Sequence, residues 1–411
     1  MRRVLLVLGC LAVLVSGCRP ATAPVAPAIP PTHPVMTTVS GEVLLPDGQP
    51  AAGCRVLART QGKSNAPWVE AQADPAGHFK FTLEAGPFKR IVAVAVKPGL
   101  ALDWAWIKAG ASATLHLGSQ PAACSGQVAD SAGRPVAGAP VAVNYVHLAA
   151  DPRATSDPVH SYLQVRGSDL LRAVTDATGR FSITGLPPTV SVSLVVEVRG
   201  YARGHASQQV LVPAAVPVAI VLGPEATIAG RVTHDGRPAA GVPVFAQPQN
   251  PEDGYGEAVT GVDGSYVMSY LAAGTYNVML HEGTPREFTA VAVEGVKVKA
   301  GDHVTRIDLR LTSGAVVTGT VRNGLTRQPI SETLVAAYGP ARPVSSAACQ
   351  NAPTDQAGVY HLRLPAGRNK LYWEGGLPMR ASGGEQWVDL KEGEAHAGVD
   401  FTLWPTLQTH P

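Results

Sequence analysis

The sequence predicts an all-β protein of four tandem β-sandwiches, on three observations. Glycine and proline make up about one residue in five, 43 and 35 of 411, above an ordinary usage of about 12%, so turns must recur between short elements. Hydrophobic residues make up 45% of the chain, which excludes general disorder. A Gly-x-Val strand start recurs at Gly41-Glu42-Val43, Gly126-Gln127-Val128, Gly230-Arg231-Val232 and Gly319-Thr320-Val321, spaced by 85, 104 and 89 residues.

The first element is an export signal. Arg2 and Arg3 precede the apolar run Val4–Val15, followed by Ser16-Gly17-Cys18. That run is too short to span a bilayer as a helix, which takes roughly 20 residues, and it has the flanks of a signal peptide. Leu14-Val15-Ser16-Gly17-Cys18 resembles the bacterial lipobox, which implies cleavage after residue 17 and lipidation of Cys18. The alternative is an ordinary signal cut nearby, with Cys18 a bystander. Two or three acyl chains at roughly 0.8 kcal/mol per buried methylene hold a protein stably to a membrane. Arg19, rather than Asp, follows the cysteine, which under the enteric sorting rule favours the outer membrane or cell surface over the inner membrane.

Residues 18–38 are the expected tether, with Pro20, Pro24, Pro27, Pro30, Pro31 and Pro34 and no hydrophobic period. Proline biases such a chain to polyproline II, about 3.1 Å per residue, which makes a semi-rigid spacer.

Four repeats follow, expected over 39–119, 122–224, 225–314 and 315–405. Each Gly-x-Val is followed by a turn and a proline: Asp47-Gly48-Gln49-Pro50, Gly133-Arg134-Pro135, Asp235-Gly236-Arg237-Pro238, and Asn323-Gly324 ahead of Gln328-Pro329. Asp-Gly and Asn-Gly form hairpin turns. A second turn precedes a strand at Asp74-Pro75-Ala76-Gly77-His78-Phe79, Asp176-Ala177-Thr178-Gly179-Arg180-Phe181, Asp263-Gly264-Ser265-Tyr266 and Asp355-Gln356-Ala357-Gly358-Val359-Tyr360. Phe79 and Phe81, Phe181 and Ile183, Tyr266 and Met268, and Tyr360 and Leu362 then alternate with smaller or polar residues, the period of a half-buried strand. Each unit closes on an alternating strand near Leu115, Ile220, Leu309 or Phe401. Units of this length and strand spacing suit two-sheet sandwiches.

These motifs resemble the carboxypeptidase regulatory-like domain, a transthyretin-like (prealbumin-like) sandwich related to Cna B-type modules, most sharply over Gly126–Val141 and Thr175–Phe181. The resemblance covers about 39–405 and implies four Ig-like/prealbumin-like β-sandwiches. It says little of function, because the motif residues belong to turns and cores. It implies binding, spacing or scaffold modules outside the cytoplasm, and the repeats leave no room for a catalytic domain. Cna B-type modules can carry a Lys-to-Asn isopeptide bond, but repeat two holds no lysine, so non-covalent sandwiches are expected.

The chemistry of a catalytic site is not legible. Twelve histidines form no close ligand pair, and no nucleophile elbow or phosphate loop occurs. No metal, no cofactor and no enzymatic activity are expected. Asp74, Asp176, Asp263 and Asp355 read as turn caps, since one carboxylate per turn falls short of the six to eight oxygens calcium takes. Lys and Arg number 33 against 31 acids, and the segment before Cys18 holds two arginines and no acid, so the remainder is formally neutral. No nucleic-acid partner is expected, because that affinity needs a surplus of cations. Cys54, Cys124 and Cys349 make no disulfide framework. Free thiols are the preferred reading and a Cys54–Cys124 bridge the alternative.

Two places stand out. Trp104 and Trp106 share one face of a strand; exposed, they form a platform for sugar stacking or for a partner's apolar anchor, and inward, they are core, the preferred reading. Repeat two carries an insert at 145–172, since Gly126 to Gly179 spans 53 residues against 34 to 39 elsewhere. It holds His147, Asp157, His160, Tyr162 and Arg166, on the kind of long loop where binding residues gather, or it is a tolerated insertion. The expectation is a lipid-anchored, non-catalytic binding and scaffold protein of the cell envelope, contacting a protein through a sheet edge or the insert. The alternatives are a polysaccharide binder using Trp104 and Trp106, and an accessory subunit of a separate peptidase or glycan hydrolase.

Overall fold

The computed structural model describes residues 36–405 except 61–66, 85–89, 149–161, 207–209, 215, 251–253, 282–286, 342–349, 375–378 and 383. Cys18, Cys349, Asp157 and His160 therefore lie outside the described residues, as do the signal and nearly all of the tether. Among the described residues there is no helix, and so none long and apolar enough to cross a membrane.

The first repeat comprises β1 (Met36–Leu44), β2 (Arg55–Thr60), β3 (Val69–Gln72), β4 (His78–Glu84), β5 (Arg90–Val96), β6 (Asp103–Lys108) and β7 (Ser112–His116). One sheet has the order β4-β1-β7, with β7 parallel to β1, and the other is the antiparallel β3-β2-β5-β6. The second comprises β8 (Ala122–Asp130), β9 (Pro140–Leu148), β10 (Tyr162–Gln164), β11 (Arg172–Val174), β12 (Arg180–Leu186), β13 (Val190–Val196), β14 (Gly204–His205), β15 (Val210–Val212) and β16 (Val218–Leu222). Its sheets are β12-β8-β16 and β10-β9-β13-β14, with β11 beside β9 and β15 beside β13.

The third and fourth repeats repeat the plan. Ala226–His234 and Ala315–Asn323 are the central strands of their first sheets, each flanked by an antiparallel strand that carries the motif tyrosine and by parallel closing strands. The second sheets are antiparallel, centred on Pro243–Pro248 with Gly274–Leu280, and on Leu334–Tyr338 with Gly367–Glu374. The chain is thus a series of Ig-like, prealbumin-like sandwiches, as the sequence predicts.

The motif residues explain one another. A Cβ added at Gly126 would lie 2.3 Å from the Val218 carbonyl oxygen of the parallel closing strand and 2.7 Å from the Phe181 ring; at Gly319 it would lie 1.8 Å from the Val399 oxygen and 2.8 Å from the Tyr360 ring. The Gly-x-Val glycine is therefore the hole into which the motif aromatic and the last strand close. The turn aspartates cap, as expected. Asp176 Oδ1 accepts from Thr178 N at 2.8 Å and Arg180 N at 3.0 Å, and Asp74 and Asp355 make the same pair of bonds. The Thr178 hydroxyl and these amides hold the Asp176 carboxyl below its usual range.

The alternative bridge between Cys54 and Cys124 is corrected. Both are free, fully buried thiols in different hydrophobic clusters, and burial pushes Cys124 up to about 11. Among the described residues, no three or more His, Cys, Asp or Glu are grouped to hold a metal ion.

Candidate functional site

The β2-β3-β5-β6 sheet of repeat one is buried on both faces. Its inner face supplies Val56, Ala58, Ile91, Ala93 and Ile107 to the repeat's own core, while Leu57, Val92, Val94 and Trp104 belong to a cluster continuous with the core of repeat two. The run Ile91-Val92-Ala93-Val94-Ala95-Val96 lacks alternation for that reason, since a strand covered on both sides has no polar face to show.

Trp104 and Trp106 do share a face, pairing with Val94 and Val92 of β5. The platform reading is nevertheless overturned for Trp104, which is 5% exposed and covered by repeat two, leaving no ring face for a sugar. The preference for core is right as to burial, but the burial is between repeats and not inside one. Trp106 is half-buried, its ring centroid 6.2 Å from that of Tyr162, and its indole Nε1 donates to the Tyr162 carbonyl at 3.1 Å.

That carbonyl belongs to β10, an edge strand, whose outward backbone groups need partners. Repeat one supplies them. Arg59, 8% exposed, donates to the carbonyls of Arg166 (3.0 Å) and Gln164 (3.1 Å) and to Gln164 Oε1 (2.9 Å), and Trp68 Nε1 donates to the Arg166 carbonyl at 3.2 Å. Arg59 also lies over the Trp68 ring at 4.7 Å, and burial lowers its pKa. At the rim, Arg55 joins Glu70 at 2.7 Å and Asp169 at 2.8 Å. Gln164 Nε2 donates to the Tyr145 hydroxyl at 2.8 Å, and the Tyr145, His147 and Tyr162 rings lie 5.9 to 6.2 Å apart.

Arg166 reaches the other way. Its guanidinium meets Glu257 of repeat three at 3.2 Å and lies 4.9 Å over the Tyr255 ring, which Arg203 of repeat two also covers, at 4.5 Å. Arg203 pairs with Glu197 at 2.7 Å, donates from Nη1 to the Tyr255 carbonyl and from its backbone nitrogen to the Tyr270 carbonyl. Beside it, His205 is half-buried with its Nε2 atom buried and unpartnered, and desolvation first, then Arg203, depresses its pKa. Arg363 of repeat four, 6% exposed, donates to the Ser313 carbonyl at the end of repeat three, and Ala292 N donates to the Pro340 carbonyl, joining repeats three and four.

Among the described residues, those of the insert are thus not gathered into a solvent-facing pocket. His147, Tyr162 and Arg166 are brought together at the junction of repeats one to three, where Tyr162 and Arg166 make inter-repeat contacts. The segment 162–170 touches repeat one through its backbone carbonyls and the side chains of Gln164 and Asp169, and Arg166 touches repeat three through its side chain. Sequence reasoning passed over Arg59, Arg203 and Tyr255. The signal available was the two-sided apolar run of β5, which calls for a cover.

No family model matches the sequence, and no curated protein matches it. Among solved structures, the shaft pilin SpaA from Lactobacillus rhamnosus GG is 13% identical at a TM-score of 0.20, covering 47% of this chain and 98% of that one. GBS52, the minor pilin of Streptococcus agalactiae, is 15% identical at 0.21, covering 45% and 99%. The Bacillus anthracis TIE protein is 10% identical at 0.18, covering 86% and 69%. Identities this low speak to fold alone, and at these TM-scores the likeness carries no argument about this chain.

Proposed function

We propose that the chain is a non-catalytic scaffold of the cell envelope, held to a membrane through lipidated Cys18 and the proline-rich tether, in which docked sandwiches present a fixed surface to a protein partner. The observation that supports this most is the use of the insert. A loop of repeat two fastens repeats one, two and three, through Arg59, Trp68 and Trp106 on one side and Glu257 and Tyr255 on the other. Sandwiches joined only by short linkers move relative to one another unless their interface is large and apolar. Between repeats one and two the interface is a continuous apolar cluster sealed by the hydrogen bonds of buried Arg59, and repeat three is joined to it through Arg166 and Arg203, the construction of a strut. A strut on a tether holds binding surfaces at a distance from the membrane, a role that needs no reacting groups.

Small-angle scattering on the Cys18→Ala form tests the strut. One rigid body should fit the wild-type curve, while Arg59→Ala and Arg166→Ala should enlarge the radius of gyration. A wild-type curve that needs freely hinged repeats rejects the reading. Anchoring is tested separately: the Cys18→Ala form should leave the membrane fraction, and mass spectrometry of the wild type should find acyl chains on residue 18. Retention of Cys18→Ala at the membrane would reject that part.

A further inference from the structure

We propose that the outer face of the second sheet of repeat four is a docking site for an extended segment of a partner polypeptide, gripped through its backbone carbonyls. The proposal rests on the scaffold reading and deepens it by locating the contact.

Repeat one shows how such a face is used. Across β2, β5 and β6 the row Arg59–Val92–Trp106 is in register, and its arginine and indole donate to the carbonyls of a strand lying on it. In repeat four the same three strands are Leu334–Tyr338, Gly367–Glu374 and Gln386–Leu390, and the row in the same register is Tyr338–Lys370–Trp387. Trp387 thus stands where Trp106 stands, and a cation again accompanies the indole, moved from the first strand to the middle one.

The two faces differ in cover. Trp106 is half-buried under β10, whereas Trp387 is 54% exposed, the most exposed tryptophan among the described residues. Arg368, also exposed, lies 4.8 Å over the Trp387 ring, and Lys370 lies 5.5 Å from the Tyr338 ring and 2.8 Å from Glu385. A large aromatic with a polar handle beside fixed cations, exposed on a strand, is the composition of an interface centre.

The arrangement favours a polypeptide over a sugar. Sugar binding needs open ring faces, but Arg368 covers Trp387, and Tyr338 and Tyr372 stack on each other with centroids 5.4 Å apart and planes 19° apart. What the face offers is an indole N–H and a guanidinium on two exposed side chains, Trp387 and Arg368, the donor types that hold the carbonyls of a strand on repeat one. A grip on backbone carbonyls tolerates varied side chains, so this chain's own edge segment can serve as a probe.

The test is a fluorine NMR titration of the full Cys18→Ala chain labelled with 5-fluorotryptophan. The probe is a synthetic peptide of residues 162–170, and the Trp387 resonance is assigned with Trp387→Phe. A saturable shift of Trp387 is expected, with Trp106 unmoved because its face is already filled. Arg368→Ala should weaken binding about tenfold, the loss of one charge-assisted hydrogen bond. Both substituted positions are exposed, and an unchanged thermal transition verifies folding. No saturable shift of Trp387 overturns the proposal, as does a shift produced by cellohexaose and not by the peptide. The scattering curve of the same sample separates the two readings: a rigid body that does not bind the peptide sinks only this site, and a hinged one sinks the scaffold.

Discussion

Trp104 illustrates how one side chain can join two domains. Its ring is buried against repeat two, so Trp104→Ala removes the contact and leaves a cavity, at a cost of about 3 to 5 kcal/mol. Urea unfolding should show this as a lower midpoint for the transition that includes repeats one and two. An unchanged midpoint would place the ring outside the load path. His205 makes a second prediction. Its pKa is depressed in the folded chain by burial and by Arg203, with Glu197 opposing, so the unfolded chain takes up the proton first as pH falls. Its contribution is therefore intact above about pH 6.5, the ordinary histidine value, and declines as pH drops below that toward the depressed folded value. Comparing wild type with His205→Gln at pH 7 and pH 5 isolates the effect: the wild type should lose more stability between the two than the variant. Equal losses would mean that His205 titrates normally.

At the scale of the element, the repeat motif is a steric device. The Gly-x-Val glycine admits both the aromatic ring of the second motif and the carbonyl of the parallel closing strand. Gly126→Ala cannot be absorbed by a side-chain shift, because the 2.3 Å contact is to a backbone oxygen. It should destabilise repeat two by more than the roughly 1 to 3 kcal/mol of ordinary overpacking, read by thermal unfolding. Gly133→Ala, at a turn with nothing within 4 Å of the added Cβ but with φ of 78°, should cost less, from backbone strain alone. If the two variants unfold alike, the closing strand does not lie where the structure places it. The edge strand β10 belongs to this scale too. Its outward carbonyls are met by side chains of another repeat, which both satisfies them and prevents pairing with a foreign strand.

For the whole molecule, the junction around Arg166 predicts coupled unfolding. Repeats one to three share one network, so calorimetry should show them melting together, and Arg166→Ala should split or broaden that transition. Separate transitions in the wild type would contradict the coupling. Much of this architecture is readable in the chain. Four sandwiches, their turns and the core alternation of Phe79 and Phe81 follow from local rules, because a strand with one buried face writes a period of two into its own residues, and a capped turn needs its Asp and Gly. The tryptophan pair and the insert were also visible as unusual. Their destination was not. Whether the outer face of a sheet meets water, a sugar or the next repeat depends on residues 56 to 114 positions away, and Arg59 and the carbonyls of Gln164 and Arg166 become partners only when two separately folded units are set side by side. Local sequence determined the sandwiches, since their interactions are short-range and periodic. Tertiary structure alone decided how the sandwiches join and which face stays open, since those contacts lie between surfaces with no shared period to announce them.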